Sequence, residues 1–339
     1  MNIIINHEMK NNIKNKTINL GIQILRVILC FWVISFHSLN SKKINYFLFY
    51  ITKTRFFHVP CFSFISFFFA FNILSEINII KVKGRLQRLL IPYIIWPIIV
   101  FITNNIFDKK GKISLYNLKI QLILGSQFMI PLWFLFSSIM LTMIFFFLSY
   151  TLKKNFLFVC QLLMIFSYMA QYSYFHQYFI IYNDNVRFSL LGTFSIFPIC
   201  ITGFIMASLN ILNILREHRI KTLLFSYLSI YFLLKYDVFI DLGGHKGIMN
   251  NFAALSFFFG FYFLPFEHIN SKLRIIIKSI TNYTNGIYCL QSQIIPFSRK
   301  LVYFNGTLKG CIMIYLISFI ISFIGNKLLH QTKLKYLFI

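Results

Sequence analysis

The feature that most limits what this chain can fold into is a succession of apolar runs, each close to the roughly 20 residues an α-helix needs to cross a bilayer core. Ten such runs can be marked, at 19–40, 45–74, 86–107, 130–151, 155–175, 188–210, 222–242, 249–266, 279–297 and 308–329. In hydrocarbon every backbone N–H and C=O must be satisfied within protein, so runs of this length spell helices; a barrel strand would be about half as long and alternate in polarity. The expected fold class is all-α, a polytopic integral membrane protein of about ten transmembrane helices. It forms a single membrane domain over 1–339, with a basic lead at 1–18 and a tail at 330–339. The seventh run is interrupted by Lys235, Asp237 and Asp241, and a short amphipathic piece at 116–124 is expected at the interface.

Composition supports this and removes competing classes. Charged residues make up 12% of the chain and hydrophobic residues 58%, against roughly 25% charged in a soluble domain. The formal charge of +25 comes from 33 Lys and Arg against 8 Asp and Glu. Nucleic-acid binding does not follow from it, because the basic residues sit in short clusters between apolar runs, the pattern of loops on the inner face of a membrane. An even number of spans puts both termini on one side. That side carries 18 Lys and Arg and the opposite side 13, and every terminal-side segment contributes, from Lys10, Lys14 and Lys16 to Lys327, Lys333 and Lys335. Both termini are therefore expected in the cytoplasm, and the protein in a bacterial inner membrane. No small-residue cleavage site accompanies the first apolar run, so no removable signal peptide is expected. The six cysteines lie in or beside apolar runs without CxxC spacing and read as small hydrophobes, neither disulfides nor metal ligands.

Ionisable residues inside apolar runs are the candidates for chemistry, since exposing them to lipid is costly. The first run holds Arg26 and His37. Eleven residues is three helical turns plus about 20°, which puts both side chains on one face roughly 16 Å apart. Two readings stand: a polar track along that face, or an arginine reaching to one interface and a histidine at the other. Arg85 and Arg88, three apart at the head of the third run, share a helix face. Two guanidiniums there would suit the phosphates of an anionic cofactor, or simply anchor a helix end on the basic side. Asp237 and Asp241 lie four apart with Lys235 and His245 nearby, as an acceptor site or as a solvated helix end. Trp96 and Trp133 sit near span ends, where tryptophan commonly marks the interface. His58, His176, His218, His268 and His330 carry no motif. Metal-binding and nucleotide motifs are absent, so no metal is expected.

Taken together, these residues carry a resemblance. Arg26 and His37 with ten residues between them, Arg85-Leu86-Gln87-Arg88 followed by Leu89 and Pro92, VPCFSFISFFFAF from Val59, Pro131-Leu132-Trp133-Phe134-Leu135, and NYTNGIYCLQ with Gly286, Ile287 and Tyr288 are similar, in order, to motifs of the acyltransferase-3 family. The similarity runs from about residue 18 to 330. It departs from the family at Gln23, where an acid often stands, at Phe67, which replaces a glycine, and at Gln291, which replaces a late histidine. The resemblance implies a membrane O-acyltransferase moving an acyl group, usually acetyl, from acyl-CoA (acetyl-CoA being the expected donor) to a hydroxyl of a cell-surface polysaccharide or lipid-linked glycan. It implies His37 as general base or as the site of an acyl-histidine relay. An imidazole, with an ordinary pKa of about 6.5, suits the first role. Arg26 would stabilise negative charge or line the donor's path, Arg85 and Arg88 would hold donor phosphates, and Trp133 and Tyr288 would meet substrate. Expected partners are membrane lipid, the carbohydrate acceptor and proteins of polysaccharide synthesis, with no nucleic acid. A glycan or lipid exporter, or flippase, without transferase activity is the rival class, with the paired arginines contacting lipid headgroups.

Overall fold

The computed structural model describes residues 19–38, 57–107, 113–124, 132–173, 185–235, 246–299 and 307–338, and among these no strand occurs. The helices are α1 (Leu20–Ser38), α2 (His58–Ser75), α3 (Ile79–Phe107), α4 (Leu115–Leu124), α5 (Trp133–Leu152), α6 (Phe156–Ser173), α7 (Asn185–Ser208), α8 (Ile211–Glu217), α9 (Arg219–Lys235), α10 (Lys246–Phe263), α11 (Ser271–Asn282), α12 (Thr284–Arg299) and α13 (Leu308–Leu329). Asp237, Asp241, His245, His176 and Pro131 lie outside the described residues.

The described part of each of the ten apolar ranges is largely helical. Among the described residues, five stretches are long and apolar enough to span: Leu20–Ser38, His58–Ser75, Ile79–Ile106, Trp133–Gln171 and Leu308–Leu329; a sixth follows if Gly192–Ser208 and Ile211–Glu217, bent by 69°, count as one. One of these stretches holds two of the expected runs, 130–151 and 155–175, and other ranges fall short for local reasons. The stretch Trp133–Gln171 is 39 residues long but turns back on itself at Lys153, whose φ of 46° breaks the helical path. Ser137, near its start, hydrogen-bonds Thr193 (2.7 Å), and Gln171, at its end, donates to the Ser195 carbonyl (3.1 Å). Both ends therefore meet one turn of α7, so α5 and α6 run antiparallel. The described part of the seventh range, α9, is 17 residues long and ends on Lys235. The ninth range is cut at Tyr283, between α11 and α12.

Helix α1 is the axis of the bundle. Asn19 caps it, its side-chain oxygen accepting from the N–H groups of Gly21 (2.8 Å) and Ile22 (3.3 Å). At its far end, Phe36 packs on His58 at the head of α2, and Ser38 meets Cys311 at the head of α13 (3.0 Å). Helices α2 and α13 thus run antiparallel to α1. Its near end rests on α10: Asn19 donates to the Tyr262 carbonyl (2.9 Å), and a Cβ on Gly21 would fall on the Phe261 carbonyl, so only glycine lets the two backbones approach this closely.

Side chains of α1 belong to both apolar cores. One is shared with α2, α5, α7 and α10. The other is shared with α3, α5, α12 and α13. Aromatic rings fill the first, with Phe145 stacked on Phe204 (5.3 Å) and Phe64 against Phe258 (4.7 Å). Outside, Phe147, Phe158, Phe166, Phe225, Ile320 and Phe323 are exposed, which suits an exterior solvated by lipid chains. The cysteines are buried free thiols.

One expectation is corrected here. Trp96 is not an interfacial residue: it is buried, donates to the Leu337 carbonyl (3.3 Å) and meets Phe338 edge-on. The structure also adds detail to the tail from 330, which forms a short 3-10 turn over Lys333–Leu337 that docks beneath α3, with Leu337 buried.

Candidate active site

The near end of α1 opens into a cavity of about 730 Å³. Its walls come from α1, α8, α9, α10 and α11, and each junction is pinned by a specific contact. Arg219, the first residue of α9, donates from Nε to the Phe263 carbonyl of α10 (2.8 Å). Thr281 of α11 donates to the Gln23 carbonyl of α1 (3.3 Å). Arg26 reaches α12, where its Nη2 donates to the Thr284 hydroxyl (2.8 Å). Gln23, at the position where the resembled family often has an acid, is buried in this wall. Among the described residues, the lining holds five basic side chains, Arg26, Arg216, Arg219, Arg274 and Lys278, and no acid. Arg26 is thus the place where the polar face of α1 begins.

His37 lies three turns away, at the far end of the same helix. Its ring packs against Phe36 (5.0 Å), which in turn packs against His58 (6.1 Å). His58 is 5% exposed, and among the described residues its Nδ1 meets no hydrogen-bond partner. A buried imidazole nitrogen is costly unless paired, which singles out His58 as a second ionisable group at the His37 end of the bundle. His58 carries no sequence motif. The usable signal was an ionisable residue inside the second apolar run, 45–74, where exposure to lipid is costly.

The paired arginines part company. Arg85 turns inward to α2 and α5: Nη2 donates to the Ser66 hydroxyl (2.8 Å), Nε to the Thr142 hydroxyl (3.1 Å) and Nη1 towards the Ser66 carbonyl (3.5 Å). Its guanidinium also lies over the Phe67 ring (5.1 Å), so Phe67, the residue standing at a family glycine, adds a cation–π contact. Arg88, one turn on, is exposed. Sharing a helix face therefore does not give the two guanidiniums a shared environment.

Trp133 and Tyr288 are joined through Phe134. Trp133 meets Phe134 (6.4 Å) and rests on Gly192, where a Cβ would come within 2.7 Å of its ring. Tyr288 meets the other side of Phe134 edge-on (5.9 Å), and Phe62 of α2 completes the group (6.3 Å). Phe62 is one turn from His58, which connects the aromatic group to the histidine end. One turn past Ile287, Gln291 is fully buried, and among the described residues neither its amide oxygen nor its nitrogen is hydrogen-bonded. An amide in that position where the family has histidine keeps donor and acceptor capacity but gives up the titratable ring.

One helix thus carries a basic cavity at one end and a histidine pair at the other, an arrangement able to bind an anionic group and to accept a proton some distance away. A family model described as an acyltransferase domain, acyltransferase-3, matches residues 19–329. No curated protein and no solved structure matches the chain.

Proposed function

The chain belongs to the acyltransferase-3 family, a family of multi-pass membrane acyltransferases, and from that membership we propose that it is an O-acyltransferase using acyl-CoA, acetyl-CoA first among the candidates, to esterify a hydroxyl of a cell-surface polysaccharide or lipid-linked glycan. The observation that carries this reading is the content of α1, with Arg26 on the basic cavity at one end and His37 at the other, where the buried His58 packs on the same Phe36 ring.

The chemistry proceeds in one transfer. The acceptor hydroxyl loses its proton to His37 as its oxygen attacks the thioester carbonyl, the C–S bond breaks, and coenzyme A leaves as the thiol once it regains a proton. Arg26 favours the negatively charged donor at the near end. His58, packed on the same Phe36 ring as His37, helps to fix how the His37 imidazole is held. Trp133 and Tyr288, bridged by Phe134, form an aromatic wall against which a sugar ring packs. We place the donor on the cytoplasmic side with both termini, and the acceptor towards the outer face of a bacterial inner membrane.

The test is surface-glycan O-acyl ester content, read by NMR before and after mild base, in cells with the intact gene, a deletion, or His37→Ala at matched membrane level. Loss of ester in both the deletion and His37→Ala is the expected result. Ester that survives His37→Ala but not the deletion would move the protein to the transport class.

A further inference from the structure

We infer that the cavity between α1, α8, α9, α10 and α11, rather than the Arg85–Arg88 pair, is where the phosphates of a phosphorylated ligand bind; this deepens the acyl-CoA reading above and rests on it only for the ligand's identity. Three observations support the site. First, Arg26, Arg216, Arg219, Arg274 and Lys278 come from four helices, in three well-separated stretches of sequence, and converge on one cavity whose described lining includes no acid. Basic loops at an inner membrane face account for cations near that face. They do not account for a fifth cation, Arg26, which comes from inside a span and opens onto the same space.

Second, the cavity is built. Glycine at 21 brings α10 against α1, the Nε of Arg219 is tied to the Phe263 carbonyl (2.8 Å), and Arg26 is held by the neutral hydroxyl of Thr284 (2.8 Å). The Arg219 bond uses Nε and so leaves its two Nη nitrogens uncommitted by it, the part of the fork that grips phosphate oxygens. Third, the competing pair is broken up: Arg85 directs Nε and both Nη groups to Ser66 and Thr142, which leaves Arg88 alone at the surface. A volume of about 730 Å³ lies within the range of about 300–1,000 Å³ that holds small ligands and cofactors. A pyrophosphate with one phosphomonoester, carrying about four negative charges, matches five cations. Such a group can come from a soluble nucleotide, or from the phosphates of anionic lipids gathered at the same face.

The full-length protein in nanodiscs of zwitterionic lipid separates these sources. Calorimetry with coenzyme A and with pantetheine, which lacks phosphate, is run on the wild type, on the double variant R216A/K278Q and on R88A. Both cavity substitutions are at exposed positions, and folding is checked by monodispersity and unfolding temperature. The expected result is coenzyme A binding that weakens at least about tenfold in R216A/K278Q, falls with added salt, is unaffected in R88A and is absent for pantetheine. If coenzyme A does not bind the wild type, but nanodiscs containing phosphatidylglycerol raise the unfolding temperature of the wild type and not of the double variant, the cavity stands as a lipid-phosphate site and the acyl-CoA reading falls. Undiminished coenzyme A binding by R216A/K278Q overturns the cavity assignment while leaving the acyl-CoA reading intact. No response to either phosphate source overturns it outright.

Discussion

Replacing Arg85 by alanine separates two meanings of the paired arginines. In the structure Arg85 is a clasp between α3, α2 and α5. It makes two hydrogen bonds of good length, to the hydroxyls of Ser66 and Thr142, a longer one to the Ser66 carbonyl, and a cation–π contact with Phe67. Polar contacts between membrane helices average about 0.6 kcal/mol and reach about 1.7, and a cation–π contact adds about 1 kcal/mol. The clasp therefore contributes about 2–3 kcal/mol. Thr142 keeps its bond to the Ser138 carbonyl (2.6 Å), so the variant leaves that hydroxyl satisfied and adds no further penalty there. At roughly 2–4 °C per kcal/mol, a scale taken from domains of 150–250 residues, the unfolding temperature in detergent should drop by about 4–12 °C. Because the cysteines are buried, a thiol-reactive fluorophore reports the transition directly. Arg85→Lys should do no better than alanine, since an ammonium cannot reproduce the fork and stays behind as a partly compensated charge. A cycle of Arg85→Ala with Thr142→Val should show a coupling of about 0.6 kcal/mol. An Arg85→Ala protein with unchanged unfolding temperature and a large rise in donor KM would refute the clasp and return Arg85 to the phosphates.

Gly21→Ala should cost about 3 kcal/mol, because the added methyl collides with the Phe261 carbonyl; monodisperse yield and unfolding temperature should both fall, and normal values of both would contradict the close α1–α10 approach. Gln291→Leu removes a buried amide whose two polar atoms have no partners among the described residues and should be neutral or stabilising by about 1 kcal/mol, whereas ester formation should drop if the amide serves the acceptor; a clear loss of stability would count against the partnerless amide. His58→Gln should leave coenzyme A affinity unchanged while altering the pH profile of ester transfer through His37, and an unchanged profile would make His58 a packing residue. Phe134→Ala unlinks Trp133 from Tyr288; acceptor KM should rise more than donor KM, and equal effects on both would show that the aromatic group only supports the fold.

Helix positions were legible in the sequence because bilayer thickness imposes a length that apolar runs must meet, and the described part of each of the ten ranges is largely helical. The turn at Lys153 was legible too, as the basic gap between the runs 130–151 and 155–175. The number of crossings was less legible, because a window that counts apolar residues does not register the break at Tyr283 between α11 and α12. Arg26 and His37 were visible as charges inside an apolar run, whose cost in lipid singles them out. Trp96 was misjudged because a tryptophan near a span end looks the same whether it faces headgroups or, as here, a docked chain terminus.

By itself the sequence determined that this chain forms helices in a membrane, that Arg26 and His37 share a face of the first of them, and that its ordered motifs follow one acyltransferase family. These are properties of length, period and local spacing, which act within a single segment. Only the tertiary structure decided that Arg85 turns inward while Arg88 faces out, that His58 stands beside His37, and that Arg26 shares a cavity with Arg216, Arg219, Arg274 and Lys278. Each of those depends on how helices distant in sequence pack around α1, where close approaches such as Gly21 on Phe261 fix which side chains meet, and no periodicity along one segment carries that information.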